Sequence, residues 1–136
     1  MYLLDTSTCV DVIRRRPDAA FRRLDETAAD EVALSVITAL ELEIGALRAQ
    51  GRRYSDAVRR FLGEFSILPL EDSAREAYGR LRTGLERRGE AIGAHDMLIS
   101  AHALALDATL VTNNEREFRR VKGLKIENWV GSRPRQ

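Results

Sequence analysis

The sequence predicts an α/β sandwich built on a mainly parallel sheet of four or five strands. Short apolar runs alternate along the chain with longer segments whose apolar residues recur at helical spacing. The connections between them are short, and strands that are each followed by a helix or a helix pair are typical of a parallel sheet. These two observations favour a single domain over residues 1–136.

The composition describes a globular protein with no strong field of either sign. Of the 136 residues 44% are hydrophobic and 32% are charged, and the net charge is +1. This length is sufficient for one domain with a core. Nearly all cations are arginines, many in adjacent pairs, and guanidinium suits phosphate contacts better than ammonium does. Biased codon usage and solvated helix faces explain the arginines equally well.

The cysteine content and the first residues of the chain indicate the cellular compartment. Cys9 is the single cysteine, which excludes an internal disulfide and a thiolate metal cluster and fits a reducing cytoplasm. The N-terminus has no basic region, and Asp5 and Asp11 interrupt its apolar run. We therefore expect neither a signal peptide nor contact with a membrane.

Four of the expected strands are short apolar runs bounded by polar or turn residues, and a fifth, more polar segment is expected at an edge of the sheet. The strands are residues 2–4, 32–36, 67–70, 109–112 and, at an edge of the sheet, 125–129. The helices between them are residues 7–16, 18–27, 38–50, 53–65, 73–88, 97–106 and 113–120.

Several residues are expected to mark where these helices stop or what they bury. Pro17 separates the first two helices, and Gly51 is expected to cap the C-terminus of helix 38–50. One face of that helix carries Leu40, Ile44 and Leu47. Helix 97–106 is apolar nearly all round, as a core helix is. The polar tail 131–136 is expected to be loose.

Polar residues follow the predicted strands at the ends where a parallel sheet binds ligands. Asp5 ends the first strand, and Glu41 and Asp96 each lie in the first turn of a helix. Asn114 follows the fourth strand, with Glu117 one turn further on. Right-handed crossovers place these junctions on the carboxyl edge of the sheet, so we expect the side chains to share one cleft.

Each of these residues also has a purely structural explanation. Asp5 can cap the first helix, and Thr38 with Glu41 matches a capping box. Asp96 can complement a helix dipole, and Asn114 can be an ordinary cap residue. The set as a whole favours a functional site, because Asp5 and Asp96 interrupt otherwise apolar stretches.

Carboxylates that gather in one cleft favour a bound metal ion. They repel each other and lose hydration, and they stay ionised when a cation lies among them. Oxygen ligands without cysteine favour Mg²⁺, with Mn²⁺ as a substitute, over zinc. His95 and His102 are open to a ligand or catalytic role, although a structural role is the favoured interpretation for both.

Four segments, in order along the chain, carry these residues: 3–7 (LLDTS), 35–45 (SVITALELEIG), 92–104 (IGAHDMLISAHAL) and 110–118 (LVTNNEREF). Together they resemble the motifs of PIN-domain ribonucleases, in particular the VapC-type toxins of prokaryotic toxin–antitoxin pairs. The closing segment 121–129 (VKGLKIENW) also fits. The resemblance spans nearly the whole chain. It implies a three-layer α/β/α PIN-like domain.

The resemblance also implies which residues form the site. The implied catalytic residues are Asp5, Glu41, Asp96 and Asn114, and of these Asp5 and Asp96 are the implied metal ligands. The implied secondary positions beside them are Thr6, Thr112 and Glu117. Asn114 stands where aspartate is also common in the family, and because an amide adds no charge, a second metal site is weaker here.

The activity implied by the resemblance is Mg²⁺-dependent hydrolysis of RNA phosphodiester bonds, with tRNA as a target of close relatives. The implied partners are the RNA substrate, a cognate VapB-type antitoxin whose tail enters the cleft, and a second copy of the chain. Operator DNA is implied only through the antitoxin.

Other functional classes fit the sequence less well. A phosphatase of the haloacid-dehalogenase kind also begins with a strand that ends in aspartate, but it needs a second aspartate where this chain has Ser7. A nucleoside triphosphatase has a glycine-rich loop ending in Gly-Lys-Ser/Thr after a strand, and no predicted strand of this chain is followed by one. A non-catalytic RNA-binding or scaffolding domain is a further alternative, and the presence of Asp5, Glu41 and Asp96 argues against it.

Overall fold

Five short segments pair side by side in the computed structural model, which describes residues 1–16 and 18–131. The strands are β1 (Tyr2–Leu4), β2 (Val32–Ser35), β3 (Ser66–Leu68), β4 (Thr109–Val111) and β5 (Lys125–Glu127). Their order in the sheet is β3-β2-β1-β4-β5, and every neighbouring pair is parallel. The order reverses between β1 and β4, and we call this gap the switch point. In open parallel sheets ligands bind outside the carboxyl ends of the strands at such a reversal.

Helices cover both faces of the sheet, which confirms the predicted three-layer α/β/α arrangement. They are α1 (Thr6–Arg14), α2 (Asp18–Asp25), α3 (Val36–Arg48), α4 (Arg52–Glu64), α5 (Ser73–Arg87), α6 (Ala94–Leu106) and α7 (Glu115–Phe118). Helices α1 to α4 pack in one core with one face of the sheet, and α5 to α7 pack in a second core with the other face.

The three central strands divide their side chains between the two cores. Leu3 lies opposite Ala33 and Leu110 in the sheet, and this row packs against α5 to α7. The next residues along the strands form the row that packs against α1 to α4: Leu4, Leu34 and Val111. Successive strand residues point to opposite faces, so strands of three or four residues supply both cores. Each fully buried leucine contributes about 1.5–3 kcal/mol.

Gly51 does not cap α3, contrary to the expectation from the sequence. Helix α3 ends at Arg48, and Ala49 has extended backbone angles (φ −66°, ψ 141°). Gly51 instead precedes α4 directly, with φ +82°. This left-handed backbone is open to glycine because glycine has no Cβ, and it lets the chain turn from α3 into α4.

The apolar face of α3 that carries Leu40, Ile44 and Leu47 does not enter the core. These side chains are 56%, 44% and 72% exposed. A different set at the same helical spacing is buried: Thr38, Leu42 and Ala46. Both sets have the period of a helix, so periodicity alone does not decide which one faces the sheet.

The remaining predicted elements are found within a few residues of their expected bounds, with α6 starting at Ala94 instead of residue 97. The break expected at Pro17 and the tail expected after residue 131 lie outside the described residues. Among the helices that the structure describes, none is long and apolar enough to cross a bilayer.

Candidate active site

Strand β1 delivers Asp5 to the carboxyl edge of the sheet, beside the switch point. Its backbone N–H donates to the carbonyl of Val111 at 3.0 Å, which extends the pairing with β4. Its Oδ1 accepts the N–H of Thr8 at 2.9 Å, so Asp5 does cap α1. Burial raises the pKa of Asp5, and hydrogen bonds from the Thr112 side chain and the Thr8 backbone oppose that rise. Asp5 therefore has a structural role and also presents a carboxylate to the cleft.

Glu41 does not belong to a capping box. The residue that caps α3 is Ser35, whose Oγ accepts the N–H of Ile37 at 3.1 Å. Thr38 is buried inside the helix and donates to the carbonyl of Leu4 at 3.4 Å. Because α3 begins at Val36, Glu41 lies in its second turn, not its first.

Both carboxylate oxygens of Glu41 are hydrogen-bonded across the cleft. Oε1 accepts the hydroxyl of Thr6 at 2.5 Å. Oε2 lies 3.0 Å from Nδ1 of His95. Glu41 is thus tied to the start of α1 on one side and to the start of α6 on the other.

The pKa of Asp96, in the first turn of α6, is affected by the charges of the carboxylates around it. Its pKa is raised from 3.8 to about 6, first by burial and then by the charges of Glu117, Asp5 and Glu41, while His95 opposes the rise. A carboxylate whose main role was to complement the helix dipole would have a lowered pKa. The direction of the shift therefore shows that burial and the negative charge crowded around Asp96 dominate its environment.

The segment after β4 completes the site from the other side of the switch point. Thr112 is buried, and its Oγ1 accepts the N–H of Asn114 at 2.9 Å. The Asn114 amide donates to Oε1 of Glu117 at 3.2 Å. Asn114 precedes α7 but makes no capping hydrogen bond with its side chain.

These elements enclose a cleft of about 460 Å³ at the carboxyl edge of the sheet. It is lined by Asp5, Thr6, Ser7, Glu41, Asp96, Asn113, Asn114 and Phe118. A larger cavity of about 600 Å³ lies between α1, α2 and α4; the carboxylates gather in the smaller one.

Most of the residues singled out in the sequence thus come together. Asp5, Thr6, Glu41, Asp96 and Asn114 line the cleft directly. Of the secondary candidates, Thr112 lies buried and bonded to Asp5, and Glu117 acts on Asp96 through its charge.

Three lining residues are not among the candidates that the sequence predicts: Ser7, Asn113 and Phe118. The hydroxyl of Ser7 lies 3.1 Å from Oδ1 of Asp5 and 3.0 Å from Oδ1 of Asn113. Ser7 and Asn113 flank predicted site residues in the sequence, and this adjacency is the signal that could have found them. The sequence favours a structural role for His95, and in the structure its Nδ1 lies 3.0 Å from Oε2 of Glu41, a residue that lines the cleft.

The donors of the cleft are chemically suited to a hard divalent cation. They are carboxylate, amide and hydroxyl oxygens, which Mg²⁺ and Mn²⁺ prefer. Among the described residues no three His, Cys, Asp or Glu side chains already stand at the spacing of a metal site. Without a cation between them, carboxylates repel each other. Glu41 is instead hydrogen-bonded to Thr6 and His95. Burial, followed by the charges of Glu117, Asp5 and Glu41, raises the pKa of Asp96, and a cation beside this carboxyl would favour its ionised form.

Comparison with known proteins assigns the chain to a family. Residues 2–124 match the PIN domain. The chain is 38% identical over 131 residues to ribonuclease VapC2 of Rickettsia felis. The aligned region covers 95% of this chain and 98% of that protein. This protein belongs to the PIN-domain family. PIN-domain nucleases generally depend on a divalent metal ion.

Within the PIN-domain family the chain groups with the VapC-type ribonucleases, as its motifs predicted. It is 33% identical over 129 residues to the tRNA(fMet)-specific endonuclease VapC of Salmonella typhimurium, covering 94% of this chain and 97% of that one. It also resembles the crystal structure of VapBC2 from Rickettsia felis bound to a DNA fragment from their promoter. That match has a TM-score of 0.86 at 37% identity and covers 94% of this chain and 98% of the other.

Proposed function

We propose that this chain is an endoribonuclease toxin of a toxin–antitoxin pair that hydrolyses RNA phosphodiester bonds with Mg²⁺, for which Mn²⁺ can substitute. The observation that carries the proposal is the gathering of Asp5, Glu41 and Asp96 in one cleft at the switch point. Burial first, and then the charges of Glu117, Asp5 and Glu41, raise the pKa of Asp96 in that cleft. The family to which the chain belongs supports the same chemistry.

In this proposal each polar residue of the cleft has a distinct task. Asp5 and Asp96 would hold the metal ion with carboxylate oxygens, and Asn114 would add a neutral oxygen beside them. A bound divalent ion would supply Lewis-acid chemistry: it would polarise the scissile phosphate, lower the pKa of a bound water and offset charge on the leaving oxygen. Glu41 accepts the proton of the attacking water or contributes to the shell around the ion. Thr6 and Thr112 orient the carboxylates of Glu41 and Asp5 through the hydrogen bonds described above.

The substrate and partners of this chain are proposed from its relatives. The Salmonella relative is a tRNA-specific endonuclease, and we propose a tRNA substrate here, reached in the cytoplasm. The Rickettsia structure is a VapBC complex bound to promoter DNA. We propose a VapB-type antitoxin for this chain, operator DNA bound through that antitoxin, and a homodimer of the single domain 1–136. The exposed apolar face of α3 supports a protein partner, because large apolar patches mark such interfaces.

Cleavage of RNA by the purified protein tests the proposal. Labelled tRNA is incubated with wild type, Asp5→Asn and Asp96→Asn in Mg²⁺, in Mn²⁺ and in EDTA. We expect cleavage in either metal, none in EDTA, and a loss of about a hundredfold or more in both variants. The matched control is Glu43→Gln, because Glu43 lies two residues from Glu41 but pairs with Arg59 at 2.7 Å and faces away from the cleft. It should cleave like wild type.

Two results would overturn the proposal. One is cleavage by Asp5→Asn and Asp96→Asn at the wild-type rate, which would place the activity elsewhere. The other is a folded wild-type protein that binds RNA without cutting it in either metal, which is the behaviour of a scaffolding domain.

If the purified protein cuts RNA, a second experiment identifies the tRNA and the position of the cut. RNA ends are mapped in cells after brief induction of wild type and of Asp96→Asn.

A further inference from the structure

We propose that His95 is a positioning residue that holds Glu41 in its working orientation in the cleft. The inference rests on the proposed ribonuclease function and extends it to a residue outside the set of acids. His95 contacts Glu41 directly, with 3.0 Å between Nδ1 and Oε2. A carboxylate only accepts hydrogen bonds, so Nδ1 carries the hydrogen and donates it.

The position of His95 in α6 allows it to reach across the cleft to α3. It lies next to Asp96, and neighbouring residues of a helix point in directions about 100° apart. Asp96 therefore lines the cleft with Asp5 and Asn114, while His95 extends to Glu41. Thr6 holds the second oxygen of Glu41 from α1 at 2.5 Å. Glu41 is fixed at both oxygens by donors from two different helices.

Glu41 needs such support because of its length and its surroundings. Glutamate has three side-chain torsions, and this one lies in a cleft whose other acids include Asp5 and Asp96. Like charges that share one cleft repel each other, so a Glu41 without donors on its oxygens would turn toward solvent. Locking the rotamer of a functional side chain with supporting hydrogen bonds is a general requirement for a precise site.

The contact is suited to orienting Glu41 and contributes little to holding the fold together. The side chain of His95 is 62% exposed and that of Glu41 is 27% exposed. Exposed pairs of this kind contribute little to stability. The other histidine of α6 differs, because His102 is buried and its Nδ1 lies 2.8 Å from the hydroxyl of Ser35. Replacing His95 should therefore leave the fold intact, which makes its effect on the site measurable.

Asparagine and glutamine at position 95 provide a matched pair of variants. The amide nitrogen of asparagine is separated from Cβ by the same bonds as Nδ1 of histidine, whereas the amide nitrogen of glutamine lies one bond further out. His95→Asn therefore keeps the donor where Glu41 needs it, and His95→Gln does not. A role that depended only on bulk or polarity would favour glutamine.

The experiment measures tRNA cleavage and, separately, Mn²⁺ binding to the RNA-free protein by electron paramagnetic resonance. We expect His95→Ala to lower kcat about three- to tenfold with KM changed less than about twofold, and to weaken Mn²⁺ binding. His95→Asn should restore most of the loss and His95→Gln should not. In a Glu41→Gln background, His95→Ala should have no further effect, since Glu41 is the group through which His95 acts. Thermal unfolding confirms that each variant is folded.

The outcomes separate this inference from the proposed function. The inference is wrong if His95→Ala cleaves and binds Mn²⁺ like wild type while Asp96→Asn is inactive, and the nuclease proposal then stands. It is also wrong if the His95 and Glu41 effects simply add. If wild type does not cut RNA but His95→Ala and His95→Asn change Mn²⁺ binding as expected, His95 does hold Glu41 and the nuclease proposal fails instead.

Discussion

Replacing Asp96 with asparagine should stabilise the metal-free protein at neutral pH. The pKa of Asp96 is about 6 instead of 3.8, so the folded protein holds this proton more tightly than the unfolded chain does. The stability that this proton confers is complete below about pH 4 and is lost as the pH rises through about 6. A pKa difference of about 2 corresponds to about 3 kcal/mol, and partial exposure of the side chain reduces this to about 1–2 kcal/mol. Asparagine has nearly the same shape and never ionises.

Urea and thermal unfolding in EDTA measure this effect. At pH 7.5 the melting temperature of Asp96→Asn should exceed that of wild type by roughly 3–10 °C, and at pH 4 the difference should vanish. Added Mg²⁺ should raise the stability of wild type more than that of Asp96→Asn, because binding to the folded state stabilises it. Asp107→Asn is the control, since the Asp107 side chain is 92% exposed. A wild type as stable as Asp96→Asn at pH 7.5, or an equal gain at pH 4, would refute the reasoning.

Three further changes test other parts of the structure. Leu3→Ala, at a fully buried side chain of the central strand β1, should lower the free energy of unfolding in urea by about 2–5 kcal/mol. Leu47→Ala, at a side chain 72% exposed, should lower it little, and equal losses would contradict the assigned core. Burial lowers the pKa of His102 below 6.5, so the neutral imidazole contributes stability above that pH and the contribution is lost as the pH falls. His102→Gln should lower the melting temperature, and below pH 6.5 its melting temperature should fall less steeply with falling pH than that of wild type. An equally steep fall in both proteins would mean that another group causes it. Asn114→Asp places a charge beside Glu117, so the metal-free protein should melt at a lower temperature and bind Mn²⁺ more tightly; unchanged Mn²⁺ affinity would exclude position 114 from the metal shell.

Much of the fold could be predicted because its local signals are strong and agree. The apolar runs became strands, and the helical periods became helices within a few residues of the expected bounds. The errors occurred where the local signal is ambiguous. Gly51 lies between two helices and could have ended one or preceded the next, and the structure uses it before α4.

The site could be predicted in outline for a topological reason. Residues at the ends of parallel strands, and in the helices that follow, must meet at one edge of the sheet. Asp5, Glu41, Asp96 and Asn114 do line one cleft there. The contacts among them were not predictable, because the bond between His95 and Glu41 joins residues 54 positions apart. Such a contact depends on the angle and separation of α3 and α6, which no local pattern encodes.

The sequence by itself determined the order and type of the elements and the carboxylates that they carry to the edge of the sheet, because periodicity and chain direction are local properties. Tertiary structure alone decided that Thr38 faces the core while Leu40 faces solvent. It also decided that Glu41 is held from two sides and that the pKa of Asp96 rises to about 6. Burial and electrostatic interaction depend on distances between remote parts of the chain, and those distances exist only once the helices have packed on the sheet.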